Sequence, residues 1–353
     1  MDPELILERL DPEQKQAAQS LVGPTCILAG AGTGKTTTVT HRIAYGIATG
    51  YYAANRVLAL TYTNRAAGEL RARLRQLGVG AVSVKTFHAA ALAQLEFFWP
   101  QFAGVPAPTV LQSKARLISE VADGLKIRLD VGALRDFAAE IEWRKYSMLS
   151  LEEYAGVVGQ RPTVAGLSPA KNFELQQAYE DAKIRVQKID WEDVLVLTLG
   201  LLRAEPRALA HVQQQYRFFT VDEYQDISPL QHALLDTWLG KHSDICVVGD
   251  PNQTIYSFTG ATSEFLQNFG SRYPDATEIQ LTRNYRSTQQ IVNFANRLTQ
   301  AHGAGEPLVS QGEVGLAPRS LSFATVADEC AGIAAAIRVK LDQGIRPSDI
   351  AVL

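Results

Sequence analysis

Cysteine is scarce in this chain of 353 residues: Cys26, Cys246 and Cys330 lie far apart, offer neither a disulfide framework nor a zinc spacing, and read as core positions. A reducing compartment fits that usage. No apolar run reaches the roughly 20 residues needed to span a bilayer. The N-terminus, MDPELILERLDPEQ, is acidic and lacks a long apolar region, so the reading is a cytoplasmic protein with no membrane partner. Excess charge is missing too. A net charge of -3 and an isoelectric point near 6.1 exclude a globally basic protein, and any nucleic-acid contact has to come from a local groove. Repeats and low-complexity tracts are absent. What is present, 46% hydrophobic and 20% charged residues over more than one ordinary domain length, describes two or three packed units.

Through the first hundred residues, short β-branched or apolar runs alternate with amphipathic stretches: TCILA then 34–49, VLALT then 65–77, VSVKTF then 88–99. That rhythm predicts a parallel α/β sheet. Between Ser113 and Arg203 it stops, and helical patterns such as FELQQAYEDAKIRVQ take over, which reads as a helical insertion. Strand signals resume at FFTV and ICVVG, returning the chain to the first sheet. TEIQL, a helix over 288–301, SLSF, a helix over 326–343 and IAVL lead into a second α/β unit, and the chain ends inside that last apolar strand as if its domain were cut short. The expected boundaries are a first sheet domain at 1–109 and 205–283, a helical insertion at 110–204, and a truncated second sheet domain from 284 to 353.

AGAGTGKTTT follows the strand CILA and opens a helix, the context a phosphate-binding loop needs. Glycines let backbone amides converge on phosphate oxygens, which makes Ala29, Gly30, Ala31, Gly32, Thr33, Gly34, Lys35, Thr36 and Thr37 the candidate nucleotide loop. Lys35 is placed to reach the β- and γ-phosphates and the Thr36 hydroxyl to ligate magnesium. Ala29 stands where the motif usually begins with glycine. Downstream, VDEYQD gathers three carboxylates behind the apolar run FFT. Unpaired carboxylates repel one another and resist desolvation, so the cluster requires solvent or a cation. Alone it is compatible with a solvated acidic turn. Beside a phosphate loop it reads as the magnesium-ATP site, Asp222 holding the ion with Thr36, Glu223 polarising the attacking water, and Asp226 fixing the loop.

AGAGTGKT, DEYQD, GDPNQTIYSFTGA and NYRS, in this order and with LDPEQKQAA, ALTYTNRAAGELRARL and VKTFHAAAL, resemble the motifs of the UvrD/Rep/PcrA group of superfamily 1 DNA helicases over nearly the whole chain. The resemblance implies an α/β fold: a RecA-like parallel sheet of the P-loop kind, a helical insertion domain, and the beginning of a second RecA-like domain. It also implies an ATP-driven 3′ to 5′ motor on single-stranded and partly duplex DNA, with repair proteins among the implied partners. Carried over residue by residue, Gln14 reads the adenine edge, Arg42 and Tyr285 sandwich the ring, Gln253 senses the γ-phosphate, Arg286 reaches it from the second domain, and Gln225 couples the cycle to DNA. By themselves, Gln14 and Arg42 have a lesser alternative reading as a helix-cap amide and a surface charge.

Single strands are gripped without sequence preference by stacking bases on aromatics and tracking phosphates. TYTN offers Tyr62 with Thr63 and Asn64, TFHA offers Thr86 and His88, and IYSFTG offers Tyr256 and Phe258 directly after Gln253. Singly, such aromatics also pack cores. The chain has Phe258-Thr259 where the group commonly has Trp-Arg, and Ala89 where it has serine; both weaken the expected grip. The Ser-Phe-Thr run is similar to that of a second UvrD-like paralogue of actinobacteria. IDWEDVL carries Asp190, Glu192 and Asp193 and is read as a structural helix start rather than a metal site. Arg71 and Arg75 read as a solvated face, and His211, His232 and His242 share no ligand spacing. An ATP-switched DNA-binding module without sustained unwinding is the rival reading. A small-molecule kinase would share the phosphate loop but needs no base-stacking loop after Gln253.

Overall fold

The computed structural model describes residues 2–301 and 306–353. In chain order its strands are β1 (Thr25–Ala29), β2 (Val57–Thr61), β3 (Ser83–Thr86), β4 (Thr109–Val110), β5 (Lys188–Ile189), β6 (Phe218–Val221), β7 (Ile245–Gly249), β8 (Thr277–Leu281), β9 (Arg283–Asn284) and β10 (Val309–Ser310). Six of them form one parallel sheet in the order β3-β2-β6-β7-β1-β8. The inner strands are short apolar runs because helices cover both faces.

Side chains alternate between those faces with the strand period of two. Leu58, Leu60, Phe219, Val221 and Val247 pack on one side with the helices Phe87–Ala103, Trp191–Ala204 and Pro229–Leu239. Val57, Ala59, Phe218, Cys246 and Val248 pack on the other with Pro12–Gln19, Lys35–Ala48 and Asn64–Gln76. Parallel strands that all point one way bring their C-terminal tips to one edge, where the motifs lie.

The chain leaves this body at β4 and returns at β5, and the two pair in parallel, Thr109 beside Lys188 and Val110 beside Ile189. Between them, Lys114–Gly124, Val131–Tyr146, Leu151–Val157 and Pro169–Arg185 enclose a separate core around Ile118, Phe137, Ile141, Leu175 and Tyr179. Trp191–Ala204, counted with the insertion from sequence, packs instead in the first core. Its Val194, Leu195, Leu199 and Leu202 are buried there, and the Thr198 hydroxyl donates to the Ala91 carbonyl at 3.1 Å.

IDWEDVL is a helix start, as expected: Asp190 caps Trp191–Ala204 in a reciprocal box with Asp193. The same carboxylates meet two buried ammonium groups from the insertion. Lys145 Nζ lies 2.7 Å from Asp190 and 2.6 Å from Asp193; Lys183 Nζ lies 3.1 Å from Asp190, and also pairs with Asp193 and, at 2.7 Å, with Glu180. Burial works against the Lys145 charge, yet Asp190, Asp193 and Glu180 together raise its pKa above the usual lysine value. Buried charges persist only when paired this completely.

β8 joins the first sheet beside β1, and among the described residues the following segment makes only the two-residue ladder β9–β10. SLSF and IAVL, expected as strands, form no ladder among the described residues, since a strand exists only where a neighbour takes its amides and carbonyls. Helix Val326–Asp342 buries none of its residues, so Cys330 is exposed and the expectation of a core position is corrected. Asp190→Ala is expected to cost about 3–5 kcal/mol, because Lys145 and Lys183 would stay buried with one shared partner gone. A urea unfolding curve whose midpoint did not move would show that the network adds nothing.

Candidate functional site

β1 runs into the glycine loop. Gly32 and Gly34 both take left-handed backbone (φ +77° and +87°), a conformation costly for other residues. Thr33 is buried, its hydroxyl donating to the Gly30 carbonyl at 2.8 Å. The first helical bond after the loop runs from Thr38 N to Gly34 O at 2.9 Å, so the amides of Lys35, Thr36 and Thr37 stand ahead of the ladder at a helix N-terminus. Such a turn is an anion cradle.

β6 delivers the acids to the same edge. Glu223 sits in left-handed backbone (φ 53°, ψ 45°), an unusual setting for a residue with a side chain and one found at functional sites. Lys35 Nζ lies 3.2 Å from Glu223 Oε2. The Asp222 carboxyl accepts from the Glu223 amide at 3.1 Å, and its pKa is pushed up to about 6 by burial and then by the Glu223 charge, with Lys35 acting the other way. Gln225 gathers the cluster: Nε2 donates to Glu223 at 2.9 Å and to Asp226 at 3.0 Å, while Oε1 accepts from the Asp250 amide at 3.0 Å. Asp250 in turn accepts from Gln253 Nε2 at 2.6 Å, and Asp226 accepts from the Ile255 amide at 3.2 Å. A continuous polar path thus leads from Lys35 to the loop bearing Tyr256 and Phe258.

Tyr62 and Tyr256, both expected to stack on bases, stack on each other, centroids 4.4 Å apart and 26° between planes. Phe258 is 62% exposed, 6.3 Å from Tyr256. Thr63 and Thr86 serve as helix caps, accepting from Ala66 N at 3.0 Å and Ala89 N at 3.1 Å, with Asn64 opening the first of those helices. A capping oxygen accepts, so each hydroxyl proton remains available to another acceptor. His88 lies 3.2 Å from the Tyr146 hydroxyl, and burial, reinforced by Lys114, pushes its pKa down to about 4.

Two residues expected at the adenine have other partners within the fold. Gln14, 5% exposed, closes a capping box with Asp11 and donates Nε2 to the Thr33 carbonyl at 3.0 Å, so its amide supports the loop. Arg42, 2% exposed, is bound through its guanidinium to the Ser20 carbonyl at 2.7 and 3.1 Å. Tyr285 is at the loop: its amide donates to the Gly32 carbonyl at 2.8 Å and its hydroxyl to Asp11 at 2.6 Å. Arg286 follows it, close enough that a Cβ on Gly32 would lie 2.7 Å from its own. Asn284 escaped the sequence reading although NYRS contained it; its Nδ2 donates to the Ala31 carbonyl at 2.6 Å. Arg73 escaped as well. It pairs with Glu69 at 2.6 Å and donates to Thr37 Oγ1 at 3.3 Å, a contact made across helices that spacing cannot show. Arg71 only folds back on the Ala67 carbonyl.

A parallel sheet in this order, with a glycine loop after β1 and an acid pair at the tip of β6, defines a RecA-like P-loop domain. The chain belongs to the UvrD/REP helicase N-terminal domain family, whose model matches residues 10–274. It is 42% identical to the ATP-dependent DNA helicase UvrD2 of Mycobacterium tuberculosis, over 99% of this chain and 52% of that protein. It is also 34% identical to the ATP-dependent DNA helicase PcrA of Leuconostoc citreum, over 84% of this chain and 40% of that one, and 32% identical to PcrA of Bacillus subtilis, over 86% and 41%. The chain thus spans about half the length of the UvrD2 relative or less of the others.

In the metal-free protein the Asp222 carboxyl should take up its proton near pH 6. Glu223→Gln removes the larger of the charge contributions that raise it and should lower that midpoint. Carboxyl carbon NMR against pH checks both; a midpoint near 4 in the unaltered protein would contradict the arrangement.

Proposed function

We propose that this chain carries the nucleotide site and part of the strand grip of an ATP-dependent motor that moves along single-stranded DNA 3′ to 5′ and unwinds duplex. The polar path from Lys35 through Glu223, Gln225, Asp250 and Gln253 to the Tyr256–Phe258 loop carries this reading, because it ties an anion cradle to exposed aromatics. A cytoplasmic setting and repair proteins as partners go with it.

Magnesium-ATP fits the residues present. Among the described residues no group of three or more His, Cys, Asp or Glu could hold a metal alone, so Asp222 and Thr36 would share the ion with phosphate oxygens. The Asp222 carboxyl, pushed up by burial and Glu223, is the group such a cation would relieve. When bound, magnesium-ATP supplies the phosphoanhydride whose hydrolysis drives the motor. Lys35 exchanges Glu223 for the phosphate chain, which frees Glu223 to orient and polarise water. Gln225 feels that exchange directly and passes it to Asp250 and Gln253. Tyr285 and Arg286, bonded or packed against Gly32, bring the second unit to the nucleotide; Tyr285 offers a ring face and Arg286 a cation for the γ-phosphate. Tyr62, Tyr256 and Phe258 take bases once their mutual stacking opens, and Thr63, Asn64, Thr86 and His88 face the phosphates.

Lys35→Ala is expected to abolish ATP binding measured by calorimetry; unchanged affinity would end the phosphate-loop assignment. Glu223→Gln should keep nucleotide affinity and lose turnover in a chain of the relatives' length, and normal hydrolysis there would place the base elsewhere. Phe258→Ala should weaken single-strand affinity by roughly 1–3 kcal/mol without changing ATP affinity, and anisotropy showing equal DNA binding would return Phe258 to a packing role.

The 353 residues by themselves favour the switch-like reading. Among the described residues their second unit offers one short ladder and an uncovered helix, so ATP binding without strand separation is expected of the isolated chain. Robust unwinding in a fluorescence-release assay would overturn that.

A further inference from the structure

The C-terminal end of helix Val131–Tyr146, part of the insertion, touches the first turn of helix Phe87–Ala103 and the turn Ser257–Thr259 at once. On one side the Tyr146 hydroxyl lies 3.2 Å from His88 Nε2, and the rings meet edge-on at 6.3 Å and 75°. Trp191 also meets the imidazole edge-on, at 6.0 Å and 88°. On another side the turn Ser257–Thr259 ends at Gly260 in left-handed backbone, φ +94°. A Cβ on Gly260 would lie 3.3 Å from Tyr146 Cβ, 3.5 Å from Ser147 Oγ and 3.6 Å from the Trp143 carbonyl, so the turn carrying Phe258 rests on this helix end. Between the two contacts lies a cavity of about 210 Å³, lined in part by Tyr62, His88, Tyr146 and Thr259. Thr61 also lines it and has a buried hydroxyl without a partner.

The first contact can run either way, the phenol donating to Nε2 or an Nε2–H donating to the phenol oxygen. Burial, followed by the Lys114 charge, holds His88 uncharged, and burial followed by nearby carboxylates keeps the Tyr146 hydroxyl protonated. A phenol that donates to Nε2 leaves the imidazole proton on Nδ1. Nδ1–H is then a neutral donor of fixed direction, suited to a phosphate oxygen. Without the phenol the ring would take either tautomer and lose one rotational restraint.

We propose that Tyr146 is a positioning residue for the single-strand grip, its hydroxyl setting the His88 tautomer while its helix end seats the Phe258 turn. The insertion thereby aligns a helix start and a turn that belong to the sheet domain. This rests on the single-strand reading above.

The test uses the 353-residue chain and fluorescein-labelled oligothymidylate in anisotropy titrations of the unaltered protein, Tyr146→Phe, His88→Ala and the double variant. Tyr146→Phe keeps the ring and its packing, which thermal unfolding followed by circular dichroism can verify. Each single variant is expected to bind about three- to tenfold more weakly, the range of one net hydrogen bond, and the double variant no more weakly than His88→Ala. Nitrogen-correlated imidazole NMR should show the Nδ1–H tautomer for His88, replaced by the Nε2–H form or a mixture in Tyr146→Phe. A merely structural tyrosine would weaken binding equally with or without His88 and leave the tautomer unchanged, and either result overturns the proposal. If the unaltered chain fails to bind the oligonucleotide, the single-strand reading itself falls; if it binds and Tyr146→Phe binds equally well, only the role of Tyr146 is rejected.

Discussion

Asp222 and Glu223 stand side by side at the tip of a buried strand, and neighbouring carboxylates taken from water cannot both remain charged without help. The rest of the site is arranged around that constraint. Lys35 answers Glu223 from the phosphate loop, Gln225 answers it from behind, and the Asp222 carboxyl is left with a raised pKa and a need for a cation. Because Gln225 also holds Asp226 and Asp250, any relief of the acid pair is felt at the base of the aromatic loop. On the proposed reading Lys35 has one charge and two claimants, Glu223 and a phosphate chain, and their competition turns nucleotide binding into movement of the loop 254–258.

The same electrostatic economy recurs at the neck of the insertion. Lys145 and Lys183 are buried against Asp190, Asp193 and Glu180, carboxylates that also cap a helix or line its neighbour. Removing one partner leaves a charge that water cannot reach, so the network resists piecemeal loosening. It ties the insertion to Trp191–Ala204, a helix rooted in the first core. The insertion and the sheet domain are therefore joined by ions as well as by the short ladder of β4 and β5, which suits an element whose helix end meets a helix start and a turn of the sheet domain.

Legibility from sequence followed locality. The phosphate loop, the acid pair and the capped start of IDWEDVL each depend on residues within about one turn of one another, and each stands where the residues indicate. Alternation in VLALT and FFTV showed strands because the pleat has a period of two. Failures came where a side chain had a choice of partner. Gln14 and Arg42 are polar residues whose type suits a nucleotide, yet the fold commits one to a helix cap and the other to the Ser20 carbonyl. Arg73 carried no signal in the sequence, and reaches Thr37 because two helices lie side by side. SLSF and IAVL have strand composition without a neighbouring strand to pair with, and composition cannot supply one.

By itself the sequence determined which segments become strands and helices on the parallel sheet, where the glycine loop turns, and which residues could carry phosphate and metal chemistry, since backbone sterics and side-chain charge are properties of short stretches. The tertiary structure alone decided the strand order, the pairing of Lys35 with Glu223 across 188 positions, the bridge made by Gln225, the mutual stacking of Tyr62 and Tyr256, and the seat of Tyr146 between a helix start and a turn. Those contacts join residues distant in the chain. Their geometry is set by how helices cover the two faces of the sheet, and no local rule fixes which of several acceptable partners a buried polar group will meet.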